Sequence, residues 1–314
     1  MNKNPFSLYD FLGYLFPGLL TILIIFYMKS IIDTTEVEDF ISFSKFMNTF
    51  TNGTNLQWWK STMVLIVLSY VLGHIIAYFS SVSIEYFANK NFKYPSYYLL
   101  NNENRKYKDY LKTYFFDEVQ FEKYRLVKTT VFFKFEKIRE RKGYGKLLWR
   151  IILFIGLFPI TGFFFSLGIF TGLNKFIVRP LDDYIRNSIK SKLNNLTSSL
   201  GIERPDVNSN ADLHRIVMHY VFLNITNSQK KTENYVAIYG FLRAISLICC
   251  IYTDVIIYKG IMTIDFSLPI NWGAIFVISV MIAVCNILFM GFIKFYRRFT
   301  LENYMALLTE KTQG

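Results

Sequence analysis

The chain has 314 residues, is 52% hydrophobic, 18% aromatic and only 18% charged, and carries a formal net charge of +12. A soluble domain of this size carries about 25% charged residues, and the deficit here is gathered into a few long apolar runs, which excludes an ordinary water-soluble globule. Cys249, Cys250 and Cys285 all lie in those runs and form neither a disulfide framework nor a zinc pattern; they read as small buried hydrophobes.

The first apolar run spans 11–28. It follows a single Lys, contains Pro17-Gly18 and lacks a small-residue cleavage site, so it predicts a retained helix rather than a signal peptide. The linker 29–60 holds three Lys against the four acids Asp33, Glu36, Glu38 and Asp39. The second run, 61–79 and extending toward Phe87, opens on Trp58-Trp59, where interfacial aromatics are expected. Midway along it sits His74. An ionisable group inside a membrane is a functional candidate by default; the alternative is a neutral imidazole bonded to a neighbouring helix.

Segment 88–150 reverses the charge balance, with sixteen Lys/Arg against seven acids. In NRKYKDYLKTYFF, Tyr107, Tyr110, Leu111 and Tyr114 fall on one face of a predicted helix, with Arg105, Lys108 and Lys112 on its flank. Farther on, Lys134, Lys137 and Arg141 recur on a second predicted helix, with Arg139 and Lys142 beside them. Gly143-Tyr144-Gly145 then predicts the end of that helix and a hinge-like turn. As a potassium filter the triplet lacks a preceding Thr-Val, and Arg141, Lys142 and Lys146 would repel the ion.

A fifth apolar run, 147–173, has basic flanks on both sides, and Pro159 lies near its middle among Gly156, Gly162, Gly168 and Gly172. A single crossing would export one basic flank. Two short halves forming a re-entrant or in-plane hairpin would not, and such backbone must be shielded by neighbours. A full fifth crossing is the alternative. In the polar stretch that follows, ERPDVNSNADLHR (203–215) predicts a loop, with Asp212 as N-cap of a helix through His219 and Val221. His214 and His219 are five apart and diverge by about 140° on a helix, so they form no metal pair.

The third run, 237–258, carries Arg243 and, within a turn or so of its outer end, Asp254; the fourth, 269–295, opens near Trp272 and carries Asn286 at its centre. Asn286 is either interhelical glue or a pore-lining group. The tail then begins KFYRRF, with Lys294, Arg297 and Arg298. Since basic flanks stay cytoplasmic, both termini and the central region are expected inside the inner membrane, with 29–60 outside. The expected fold is an all-α polytopic membrane protein. Residues 1–87 form one transmembrane hairpin and 237–314 a second with its cytoplasmic tail. Between them, 88–236 form a basic cytoplasmic helical region with 147–173 inserted.

No Gly-rich phosphate loop, Ser/His/Asp set, Cys/His pair or carboxylate pair nominates an enzyme, and no cofactor or metal is expected. The basic region has a bland reading, a positive-inside flank attracted to anionic lipid at about 1 kcal/mol per Lys/Arg. It is, however, long and interleaved with aromatics, the pattern that holds single-stranded nucleic acid without sequence readout. The candidate ligand set is therefore Arg105, Lys108, Lys112, Lys134, Lys137, Arg139, Arg141 and Lys142, and the intramembrane polar candidates are His74, Asp254 and Asn286. The same aromatics could instead form the core of a helical domain.

FSLYDFLGYLFPG (6–18), the stretch Tyr239-Gly-Phe-Leu-Arg243 and KFYRRFTLENYMALL (294–308) resemble bacterial membrane proteins found among anti-phage defence genes. Within that group, the size, the basic insert and the two hairpins are similar to the membrane effectors of the Hailong defence system. The resemblance covers the four crossings and not the insert. It implies an oligomeric ion channel, a tetramer being one arrangement, held shut by a nucleotide or oligonucleotide signal. A nucleotidyltransferase encoded nearby would make that signal, and its loss would open the channel and depolarise the cell. A non-conducting membrane anchor that docks a soluble defence enzyme or toxin is the alternative. A solute transporter is disfavoured, as no inverted repeat is visible.

Overall fold

In lipid a backbone must satisfy its own polar groups, which restricts spanning segments to helices and closed barrels. The computed structural model describes residues 10–32, 58–101, 114, 142–165, 178–202, 211–262 and 272–310, and among them every regular element is helical. A π-helical segment, Phe11–Leu15, leads into α1 (Phe16–Ile32); α2 (Trp58–Ser80) passes through a second π-segment, Ser81–Glu85, into α3 (Tyr86–Phe92) and then α4 (Pro95–Leu100). The remaining helices are α5 (Lys142–Gly156), α6 (Phe158–Phe163), α7 (Asp183–Ser199), α8 (Ala211–Asn224), α9 (Thr226–Met262) and α10 (Trp272–Thr309).

Among the described residues, three helical stretches are long and apolar enough to cross a membrane: Met63–Leu100, Gln229–Met262 and Trp272–Thr309. The apolar helices Phe11–Ile25 and Leu147–Gly156 are shorter. With 37 and 38 residues, α9 and α10 each measure about 55 Å at ~1.5 Å per residue. That exceeds the ~30 Å hydrocarbon core, so both outrun it by several turns.

The chain divides into two compact units. The first comprises Met1–Ile84 and Thr226–Glu302. In it α1 lies along α2, and the segment Phe11–Leu15 packs on α2 and α9. α9 and α10 meet through aromatics: the Tyr239 ring lies 5.2 Å from Tyr296 and 5.6 Å from Phe299. Between the same two helices, Lys231 Nζ and Glu302 form an ion pair at 2.7 Å. It is exposed, hence worth at most about 1 kcal/mol.

The second unit comprises Glu85–Ile225 and Asn303–Gly314. Phe87, Tyr114, Leu157, Ile160 and Phe164 form one buried cluster, and Ile189, Leu193, Val217, Tyr304 and Leu307 carry the core along α7, α8 and the end of α10. Here the apolar run that begins at Leu147 is not one helix. α5 stops at Gly156, Leu157 leaves helical geometry at φ −115° and ψ 24°, and Pro159 sits in the first turn of α6, where its missing N–H costs no bond. Thr161 Oγ1 donates to Phe154 O at 2.8 Å and ties the two short helices across the break.

Two local expectations are corrected. Gly143-Tyr144-Gly145 lies inside the first turn of α5 and is no helix-ending hinge, since three residues of low propensity are carried by the strongly apolar run behind them. Asp212 falls within α8 and does not cap it.

Candidate functional site

In the first unit the intramembrane polar residues are positioned by a close helix contact. A Cβ at Gly73 would lie 1.9 Å from Tyr14 O, and one at Gly18 would lie 1.7 Å from Ser69 O. Two backbones thus touch where α2 meets the N-terminal helical segment, which only glycine permits. The contact lays the Tyr14 ring on His74, stacked at 3.8 Å and 18°, while Tyr70 meets the same imidazole edge-on at 4.6 Å. His74 itself is exposed on α2, on an outer face with Val67, Val71, Ile75 and Tyr78. It is held by rings of its own chain rather than enclosed among helices.

Arg243 reaches from α9 to the end of α2. Its Nε donates to Ser80 Oγ at 3.1 Å and its Nη2 to Ala77 O at 3.4 Å, while Ser80 Oγ donates to Ala77 O at 2.8 Å. This node lies immediately before the π-segment Ser81–Glu85. Such segments loosen the regular hydrogen-bond ladder and recur at functional positions.

Asp254 is half-buried on α9. Beside it in sequence, the buried Thr253 donates to Cys249 O at 2.7 Å and touches Cys285 Sγ of α10 at 3.4 Å. Asn286 is buried and donates from Nδ2 to Ile282 O of its own helix at 2.8 Å. His74 thus rests on rings of the N-terminal segment and α2, whereas Asp254 and Asn286 belong to α9 and α10, on either side of the Thr253–Cys285 contact. Cys250 and Cys285 are buried free thiols, and among the described residues no His/Cys/Asp/Glu group could hold a metal ion.

Of the basic candidates, Arg105, Lys108, Lys112, Lys134, Lys137, Arg139 and Arg141 lie outside the described residues, and Lys142 is placed as the first residue of α5. Tyr114, one of the interleaved aromatics, is a core residue. It is fully buried, its ring 5.5 Å from Phe87 and 6.0 Å from Phe165, and its hydroxyl donates to Arg150 O at 3.0 Å. Burial raises its pKa well beyond the ordinary phenol value. Arg150 was grouped by sequence with the basic flank. It is buried, and its Nε donates to Tyr86 OH at 3.2 Å.

Elsewhere in this unit, Tyr220 OH donates to Glu310 Oε1 at 2.8 Å, which raises the tyrosine pKa, and Lys192 Nζ donates to Glu310 O at 3.4 Å. His214 meets Tyr304 edge-on at 5.8 Å, its Nε2 is shut off from solvent, and burial pushes its pKa down to about 4. His219 on the same helix is exposed.

No protein-family model, curated protein or solved structure matches this chain.

Proposed function

We propose that the chain is the subunit of an oligomeric ion channel in the bacterial inner membrane, gated by an anionic nucleotide or oligonucleotide. It acts as an anti-phage effector by depolarising the membrane. In this reading the first apolar run is a fourth crossing, both termini face the cytoplasm, and a nucleotidyltransferase encoded nearby supplies the signal. The observation that carries it is the charge excess of segment 88–150, sixteen Lys/Arg against seven acids, interleaved with aromatics and followed in the sequence by the apolar run that begins at Leu147. Ligand bridging Lys134, Lys137 and Arg141 of several subunits would hold that segment, and a ligand moves such an equilibrium only by its differential affinity for the two states.

Oligonucleotide binding to the purified full chain is expected to weaken steeply with salt. It should fall at least tenfold when Lys134, Lys137 and Arg141 all become Glu. Unchanged binding would remove the site from this segment. The burial of Tyr114 favours the second reading, a non-conducting anchor whose aromatics build a docking domain. That reading predicts no conductance under any ligand condition.

A further inference from the structure

Helix α5 is inside-out with respect to water. At about 100° per residue, Leu148, Ile151, Ile152 and Ile155 fall together on the side opposite Arg150. All four are exposed, at 59%, 40%, 51% and 65%. Trp149 at 41% and Phe158 of α6 at 48% widen the same apolar surface. The inward side carries the cation: Arg150 is 5% exposed and bonded to Tyr86 OH, next to buried Leu153 and Leu157. A helix on a water-facing domain does the reverse.

We propose that α5 and α6 dock in the plane of the membrane, with this aliphatic face sunk into the acyl boundary of an anionic leaflet. Three observations select lipid over a second copy of the chain. Among the described residues of α5, the outward face carries no polar group but the Trp149 indole N–H to give a protein partner register. The chain leaves helical geometry at Leu157, directly after α5, and Pro159 opens a new short helix, so the apolar run does not continue as one straight span. Lys142 and Lys146 lie within α5, and Lys134, Lys137, Arg139 and Arg141 precede it in the sequence, a charge complement to anionic headgroups. In-plane helices combine such an apolar face with neighbouring cations. The inference rests on the membrane reading above and is independent of conduction.

The test uses two single-tryptophan forms of the full chain in phosphatidylcholine/phosphatidylglycerol vesicles. Both carry Trp58→Phe, Trp59→Phe, Trp149→Phe and Trp272→Phe; one adds Leu148→Trp and the other Ile155→Trp, two positions on the same side of α5 and seven residues apart. Lipids brominated near the headgroup are expected to quench both tryptophans alike, and several-fold more than lipids brominated near the chain end. Deeper quenching at position 155 than at 148 would mean that the helix enters along its axis, and would overturn the proposal. Quenching of neither would mean that protein covers the face, and would overturn it equally. Both outcomes are separate from the conductance measurement, which neither variant needs.

Discussion

Gly18 and Gly73 set the helix contact on which the placement of His74 depends. Ordinary Cβ contacts do not fall below ~3 Å, and the obstructing atoms here are backbone carbonyls that no rotamer change can move. Gly73→Ala is therefore expected to cost more than ~2 kcal/mol, measured as a lowered unfolding midpoint of the detergent-solubilised chain. Gly145→Ala, where a Cβ meets nothing within 4 Å, should instead be neutral or slightly stabilising. His214 gives a pH signature. Its folded pKa of about 4 lies below the ordinary imidazole value of about 6.5, so the unfolded chain binds the extra proton between those values. The stability this residue protects is fully present above pH ~6.5 and is lost as pH falls toward ~4, by up to ~3 kcal/mol. His214→Leu should flatten that part of a stability-versus-pH curve; an unchanged slope would show that the imidazole is hydrated in the fold.

At the scale of elements, the node of Arg243 with Ser80 and Ala77 joins α9 to the end of α2 where the helix widens into its π-segment. Hydrogen bonds to a charged group contribute about 1.5–3 kcal/mol. A double-mutant cycle on Arg243→Gln and Ser80→Ala should accordingly show a coupling of ~1 kcal/mol or more, read from thermal unfolding. Zero coupling would reduce Arg243 to an interfacial charge. The long apolar helices were legible because hydrophobic length is nearly all that a spanning segment requires. The fate of the fifth run was legible in part. Pro159 and its surrounding glycines marked a break, and the break falls at Leu157, with Pro159 opening the next helix. The inward turn of Arg150 was not read, because in a run where nearly every residue is apolar periodicity does not say which arc faces protein. Gly143-Tyr144-Gly145 was misassigned for a related reason, local propensity being overridden by the apolar helix it opens.

For the whole molecule, the proposed activity predicts ligand-sensitive conductance when the purified chain is placed in planar bilayers. The Lys134, Lys137 and Arg141 substitutions to Glu should abolish the ligand response while leaving a conducting pore. A silent bilayer under every ligand condition would leave the anchor reading. The amino-acid sequence by itself determines that this is a helical chain with apolar segments of membrane-crossing length and a strongly basic middle. Those properties follow from one-dimensional sums, the transfer free energy of consecutive apolar residues and the count of charges between them. Only the tertiary structure decides that Tyr14 stacks on His74, that Tyr114 is core rather than a stacking platform, and that Arg150 turns inward while its apolar neighbours face out. Each depends on contacts between residues far apart in the chain, and no local pattern records which face of an apolar helix meets protein and which meets lipid.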